Sequence, residues 1–81
     1  LFRSQYTRVT LEDGLTIASD GAYDHKEKFV VCGYKGTYYT KKDEEWVIWN
    51  DSQYYHKINA THLVNGKEEL QKMAQSLYLN N

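Results

Sequence analysis

Cys32, with His25, His56 and His62, is the set of side chains in this sequence best equipped for chemistry. A thiolate beside an imidazole can act as a nucleophile, and the same atoms can ligate zinc. The spacing argues against both roles. Zinc sites gather their ligands in close pairs such as Cys-x-x-Cys, and here His56 and His62 have no second pair to complete a site. Cys32 follows Phe29-Val30-Val31, an apolar run in which a lone thiol is expected to be an inert core residue. Asp20 and Asp24 lie in a polar stretch, Asp20 to Glu27, that lacks the alternating oxygens and closing Glu of a calcium loop, and it reads as a solvated loop. There is no Gly-rich phosphate loop and no Gly-x-Ser-x-Gly elbow. No catalytic residue, metal or cofactor is therefore expected.

The more unusual resource is aromatic. Eight Tyr and two Trp occur in 81 residues. Such side chains favour strands and interfaces because they join a large apolar body to a polar tip. They concentrate in Phe29 to Asn50, which reads as two adjoining hairpins turning at Lys35-Gly36 and at Asp43-Glu44-Glu45. With period two, Phe29, Val31, Gly33, Tyr38, Val47 and Trp49 share one face. Val30, Cys32, Tyr39, Trp46 and Ile48 share the other. An antiparallel sheet with one wet face should alternate apolar and polar residues, and this one is apolar on both.

The positioning elements follow from pattern. Arg3 to Leu11 and Leu15 to Ser19 form a hairpin whose register is set by a three-residue loop, Glu12-Asp13-Gly14. That loop puts Val9, Leu11, Leu15 and Ile17 on one face. Strands continue over Lys28–Tyr34, Thr37–Lys42, Trp46–Asn50 and, after a turn at Asp51–Gln53, Tyr54–Asn59. Gly66 to Leu79 is the one helix, with Leu70, Met73, Ala74 and Leu77 in a single stripe. Asn65 and Glu68 suit a capping box at its start. The expected fold is α+β: an antiparallel meander sheet of about five to six strands, with curling toward a half-barrel left open. One C-terminal amphipathic helix packs on the face of Phe29, Val31, Val47 and Trp49. The chain is expected to be a single small domain (hairpin 3–19, central strands 28–59, helix 66–79), and its start at Leu1 points to excision from a longer protein.

One helix covers one face. The second face, with Tyr39 and Trp46 and with Tyr55 from the next strand, must be covered by the N-terminal hairpin, by another copy or domain, or by a partner. This makes Tyr39, Trp46 and Tyr55, supported by Tyr34 and Tyr38, the candidate binding residues. The class expected is a non-enzymatic protein-binding module whose partner is another protein or a second copy of itself.

Composition narrows the alternatives. Ten Lys and Arg against eleven Asp and Glu give a net charge of −1, which weighs against nucleic acid. Lys35, Lys41 and Lys42 beside Tyr38 and Tyr39 keep single-strand nucleic-acid binding as the rival. A lone Cys implies a reducing, intracellular setting, although Asn50-Asp51-Ser52 and Asn59-Ala60-Thr61 fit glycosylation triplets. No apolar run approaches the roughly 18 residues of a membrane span, so no membrane association is expected. Two short stretches carry resemblances. Lys35-Gly36-Thr37-Tyr38-Tyr39 resembles the start of the RNA-recognition signature, with Thr37 at its first aromatic position. Gly36-Thr37-Tyr38 with Trp46-Val47-Ile48-Trp49-Asn50-Asp51 resembles the closing hairpin of ubiquitin-specific proteases. There Thr37 replaces the catalytic His and only Asn50 matches a triad position, so the resemblance, over under a quarter of the chain, implies an inactive fragment.

Overall fold

The computed structural model describes residues 3–13 and 22–79. It is an α+β fold with strands β1 (Arg3–Thr10), β2 (His25–Val31), β3 (Tyr34–Lys41), β4 (Glu44–Asn50) and β5 (Tyr54–Thr61), followed by helix α1 (Gly66–Leu79). All pairings are antiparallel, in the order β1-β5-β4-β3-β2. The last four strands form the expected meander, β1 adds to β5, and the sheet is not closed into a barrel. Gly14 and the predicted strand Leu15–Ser19 lie outside the described residues. Before them, Asp13 N–H donates to the Thr10 carbonyl at 3.1 Å and Thr10 Oγ1 to Asp13 Oδ2 at 3.0 Å. Among the described residues no helix is long and apolar enough to cross a membrane.

The first central hairpin turns three residues earlier than the expected Lys35-Gly36. Val31 pairs with Tyr34 across a two-residue loop, Cys32-Gly33, with φ of 49° and 86°. Two left-handed residues make the type I′ geometry whose twist matches the flanking strands. Cys32 is consequently an exposed turn residue rather than a core thiol. Gly36 is needed elsewhere. It sits within β3 opposite Trp49, and a Cβ there would lie 2.4 Å from the Ile48 carbonyl oxygen and 2.6 Å from Trp49 Cβ. Gly36→Ala should therefore lower unfolding free energy by about 2–3 kcal/mol through overpacking, read from chemical denaturation; an unchanged midpoint would contradict the close approach.

Two further boundaries move. The second turn is Lys42-Asp43, with Lys41 paired to Glu44 and Lys42 at φ 53°, not the acidic triplet. The polar stretch before Phe29 joins the sheet from His25 onward, because Thr40 and Tyr38 of the extended β3 offer partners to His25 and Glu27. The facial assignment survives these shifts. Phe29, Val31, Tyr38, Val47 and Trp49 form the core with Ile58, Ala60, Leu70 and Ala74, while Val30, Tyr39, Trp46 and Ile48 point the opposite way. Period-two alternation depends on the parity of a loop, not on its position.

α1 begins and ends where the periodicity places it. Its buried stripe is Leu70 and Ala74, flanked by partly buried Met73 and Tyr78; Leu77 is 41% exposed and is not part of it. Asn65 is left-handed, at φ 54°, and its carbonyl accepts from Glu69 N–H at 3.1 Å. Instead of the predicted capping box, an acid from the sheet serves this end. The Glu45 carboxylate lies against Gly66, favourably placed for the helix dipole. Lys67 pairs with Glu27 of β2, tying the first turn of the helix to the sheet.

Candidate functional site

The sheet register divides the predicted aromatic set. Tyr39 and Trp46 are cross-strand partners on the face opposite α1, and Tyr55, partner of Asn50, shares that face. Tyr38 belongs to the other side. It is buried beneath α1 with its hydroxyl donating to Glu45 Oε1 at 2.5 Å, and burial, reinforced by that carboxylate, holds its phenol far above the usual range. Tyr34 also lies on the helix side, its ring 5.6 Å from that of Tyr78. Even-numbered positions of β3 face the helix, so neither Tyr34 nor Tyr38 adjoins the Tyr39 surface.

On the second face the rings are packed together. Tyr39 stacks on Trp46 with centroids 5.3 Å apart and planes 14° from parallel. Tyr23 leans on Tyr39 at 5.2 Å, and the Lys57 ammonium lies 5.9 Å from the centre of the Trp46 ring. Trp46 is only 2% exposed, so it supports this surface from below rather than projecting as an anchor. Its indole N–H is buried and has no hydrogen-bond partner among the described residues. Beside it a shallow groove of about 250 Å³ runs between half-buried Tyr39 and Tyr55, with Ile48 and Thr37 beneath and Lys35 and Asn50 at its rim. A second, larger groove of about 630 Å³ crosses β1 and β5 among Arg3, Gln5, Thr7, Glu44 and Lys57.

The helix side holds a polar network with no counterpart among the predicted site residues. Asp51 Oδ1 accepts the backbone N–H groups of Gln53 and Tyr54 at 2.8 and 2.9 Å. Its Oδ2 meets His56 Nε2 at 2.7 Å and accepts from the Tyr78 hydroxyl at 2.8 Å. Trp49 Nε1 donates to that same hydroxyl at 2.9 Å, and Tyr6 Oη lies 2.6 Å from His56 Nδ1. A neutral His56 protonated on Nε2 satisfies every group, with Tyr6 donating to Nδ1. Trp49 stacks on the imidazole at 4.8 Å and 14°.

Burial of Asp51 would raise its pKa, but the two amide donors, with Tyr78 and His56, win and hold it well below the usual carboxylate range. Burial pushes the Tyr78 hydroxyl up to about 12; Trp49's hydrogen bond opposes this and the Asp51 carboxylate reinforces it. An Asp–His–Tyr line resembles a charge-relay arrangement in outline, yet burial also raises the Tyr6 pKa, the wrong direction for a nucleophile. The network joins β1, the β4–β5 turn, β5 and the end of α1. Sequence offered only one sign of it, a turn Asp five residues before a strand His. Among the described residues no three His, Cys, Asp or Glu side chains converge as a metal site.

A family model spans residues 3–77, from the first described strand to the last turns of α1. The chain belongs to the DUF4367 family. That family is described as a domain of unknown function, so membership extends over sheet and helix without adding an activity. No curated protein and no solved structure matches the chain.

Proposed function

We propose that this DUF4367 domain is a non-enzymatic module that binds another protein through the sheet face opposite α1. The observation that carries the reading is the groove bounded by Tyr39 and Tyr55, which brings two of the predicted binding residues from β3 and β5 onto one concave surface. Aromatic walls over an aliphatic floor suit the apolar side chain of a partner, and the polar rim of Lys35 and Asn50 suits its backbone or charges. Trp46 holds Tyr39 in place by stacking and thereby sets one wall of the groove.

Peptides selected from a random displayed library against the full chain test this. Backbone amide shifts on adding a selected peptide should map to Tyr39, Ile48 and Tyr55. A Tyr39→Ala, Tyr55→Ala double variant should lose at least about tenfold in affinity, as removal of paired interface aromatics does. Perturbations confined to the helix side would overturn the reading. Concentration-dependent mass in light scattering, abolished by the same double variant, would identify the partner as a second copy.

A further inference from the structure

Charge is segregated in this nearly neutral chain. Lys26 and Lys28 of β2 and Lys35 and Lys41 of β3 all project from the face opposite α1, and all four are exposed. On that face of β2, β3 and β4 the single carboxylate is Glu44, across from Lys41 at the far end of the sheet. The helix side instead holds five carboxylates, Glu27, Glu45 and Asp51 with Glu68 and Glu69 in the first turn of α1, against three cations, Arg8 of β1 and Lys67 and Lys72 of α1. Lysines on an edge strand discourage sheets from pairing edge to edge, which accounts for Lys26 and Lys28. It does not account for Lys35 and Lys41, because β3 is paired on both sides. Val30, the partner of Lys35, is 49% exposed among these cations, and Lys35 also stands on the rim of the Tyr39–Tyr55 groove.

We propose that this basic half of the face binds an acidic, extended polypeptide segment. Its carboxylates meet Lys26, Lys28 and Lys35, and an adjacent apolar side chain enters the groove between Tyr39 and Tyr55. Alternate residues of an extended chain project about 7 Å apart, the same repeat that separates Lys26 from Lys28, so acids at i and i+2 fit. The inference rests on the protein-binding reading above and adds the chemistry of the partner. A polyphosphate strand would share the charge, but single-strand binding relies on free ring faces for base stacking. Beside the lysines those faces are occupied: Trp46 lies under Tyr39, and Tyr23 leans on Tyr39 beneath the Lys26 ammonium, 5.5 Å away. The rings favour a peptide.

The test is a set of amide-shift titrations of the full chain with a short peptide carrying Glu at i and i+2 and Val at i+4, all on one side when extended, its Gln counterpart and a short oligothymidylate. The Glu peptide should shift Lys26, Lys28, Val30 and Lys35, and its affinity should fall steeply with added salt. Lys28→Glu with Lys35→Glu should weaken it by at least about tenfold while leaving the thermal midpoint in place, since both side chains are exposed. Oligothymidylate binding as tightly as the Glu peptide would reassign the patch to polyphosphate. Equal binding of the Gln peptide at Tyr39 and Tyr55 would overturn the acidic partner yet keep protein binding. If neither peptide perturbs this face, both readings fail.

Discussion

Asp51→Ala should lower the unfolding free energy by about 3–5 kcal/mol, because several donors lose one ionised acceptor together and each such loss costs about 1–3 kcal/mol. The carboxylate has side-chain exposure of 11% and His56 of 6%, and four groups depend on it at once: the Gln53 and Tyr54 amides, His56 and Tyr78. Removing it leaves the part-buried Tyr54 amide, His56 and Tyr78 without this acceptor, which costs more than the hydrogen bonds themselves were worth, while water can serve the exposed Gln53 amide. Asp51→Asn should cost less than the Ala change, because its carbonyl still serves the two amides. It nonetheless presents an NH2 where His56 Nε2–H and the Tyr78 hydroxyl both donate.

The same residue sets an acid response. Its pKa is depressed in the fold below the ordinary 3.8, so its contribution is complete above about pH 4 and drains away as the pH falls toward the folded value. Urea midpoints of the wild type should therefore fall below pH 4, and those of Asp51→Ala should fall less steeply. Equal slopes would remove Asp51 as the source.

Trp49→Ala and Trp46→Ala should each cost about 3–5 kcal/mol, although the two rings lie on opposite faces of β4. Trp49 is 1% exposed and Trp46 2%. Phe at the same positions should separate them. Trp49→Phe removes the indole donor to the Tyr78 hydroxyl, whereas Trp46→Phe removes a buried N–H that has no partner among the described residues. The first should exceed the second by about 1–2 kcal/mol in denaturant unfolding with unchanged m-values. A Trp46→Ala variant with wild-type stability would mean that its ring supports nothing, and the stacking of Tyr39 would lose its role in shaping the groove.

Much of the fold was legible because its signals are local. The spacing of Leu70, Met73 and Ala74 marks α1 to its ends, and alternation through Phe29–Val31 and Trp46–Trp49 assigns each residue to a face. The turns were less legible. A Gly after a Lys looks like a hairpin signal, but Gly36 is spent beneath Trp49, while Cys32 takes a left-handed conformation that side-chain type does not advertise. Of the candidate site, Tyr39 and Tyr55 are brought together as expected, whereas Tyr34 and Tyr38 are drawn to the helix side.

By itself, then, the sequence determined the element types, the apolar character of both sheet faces and the identity of the helix that covers one of them. These follow from periodicity, which needs only neighbouring residues. Only the tertiary structure decided that Trp46 lies beneath Tyr39 rather than projecting from the surface. It also decided that five lysines, Lys57 of β5 with the four of β2 and β3, share one face and that Asp51, His56, Tyr6, Tyr78 and Trp49 meet in one network. Tyr6 and His56 are separated by 50 positions and Trp49 and Tyr78 by 29, and such contacts depend on strand order and register, which pattern along the chain does not encode.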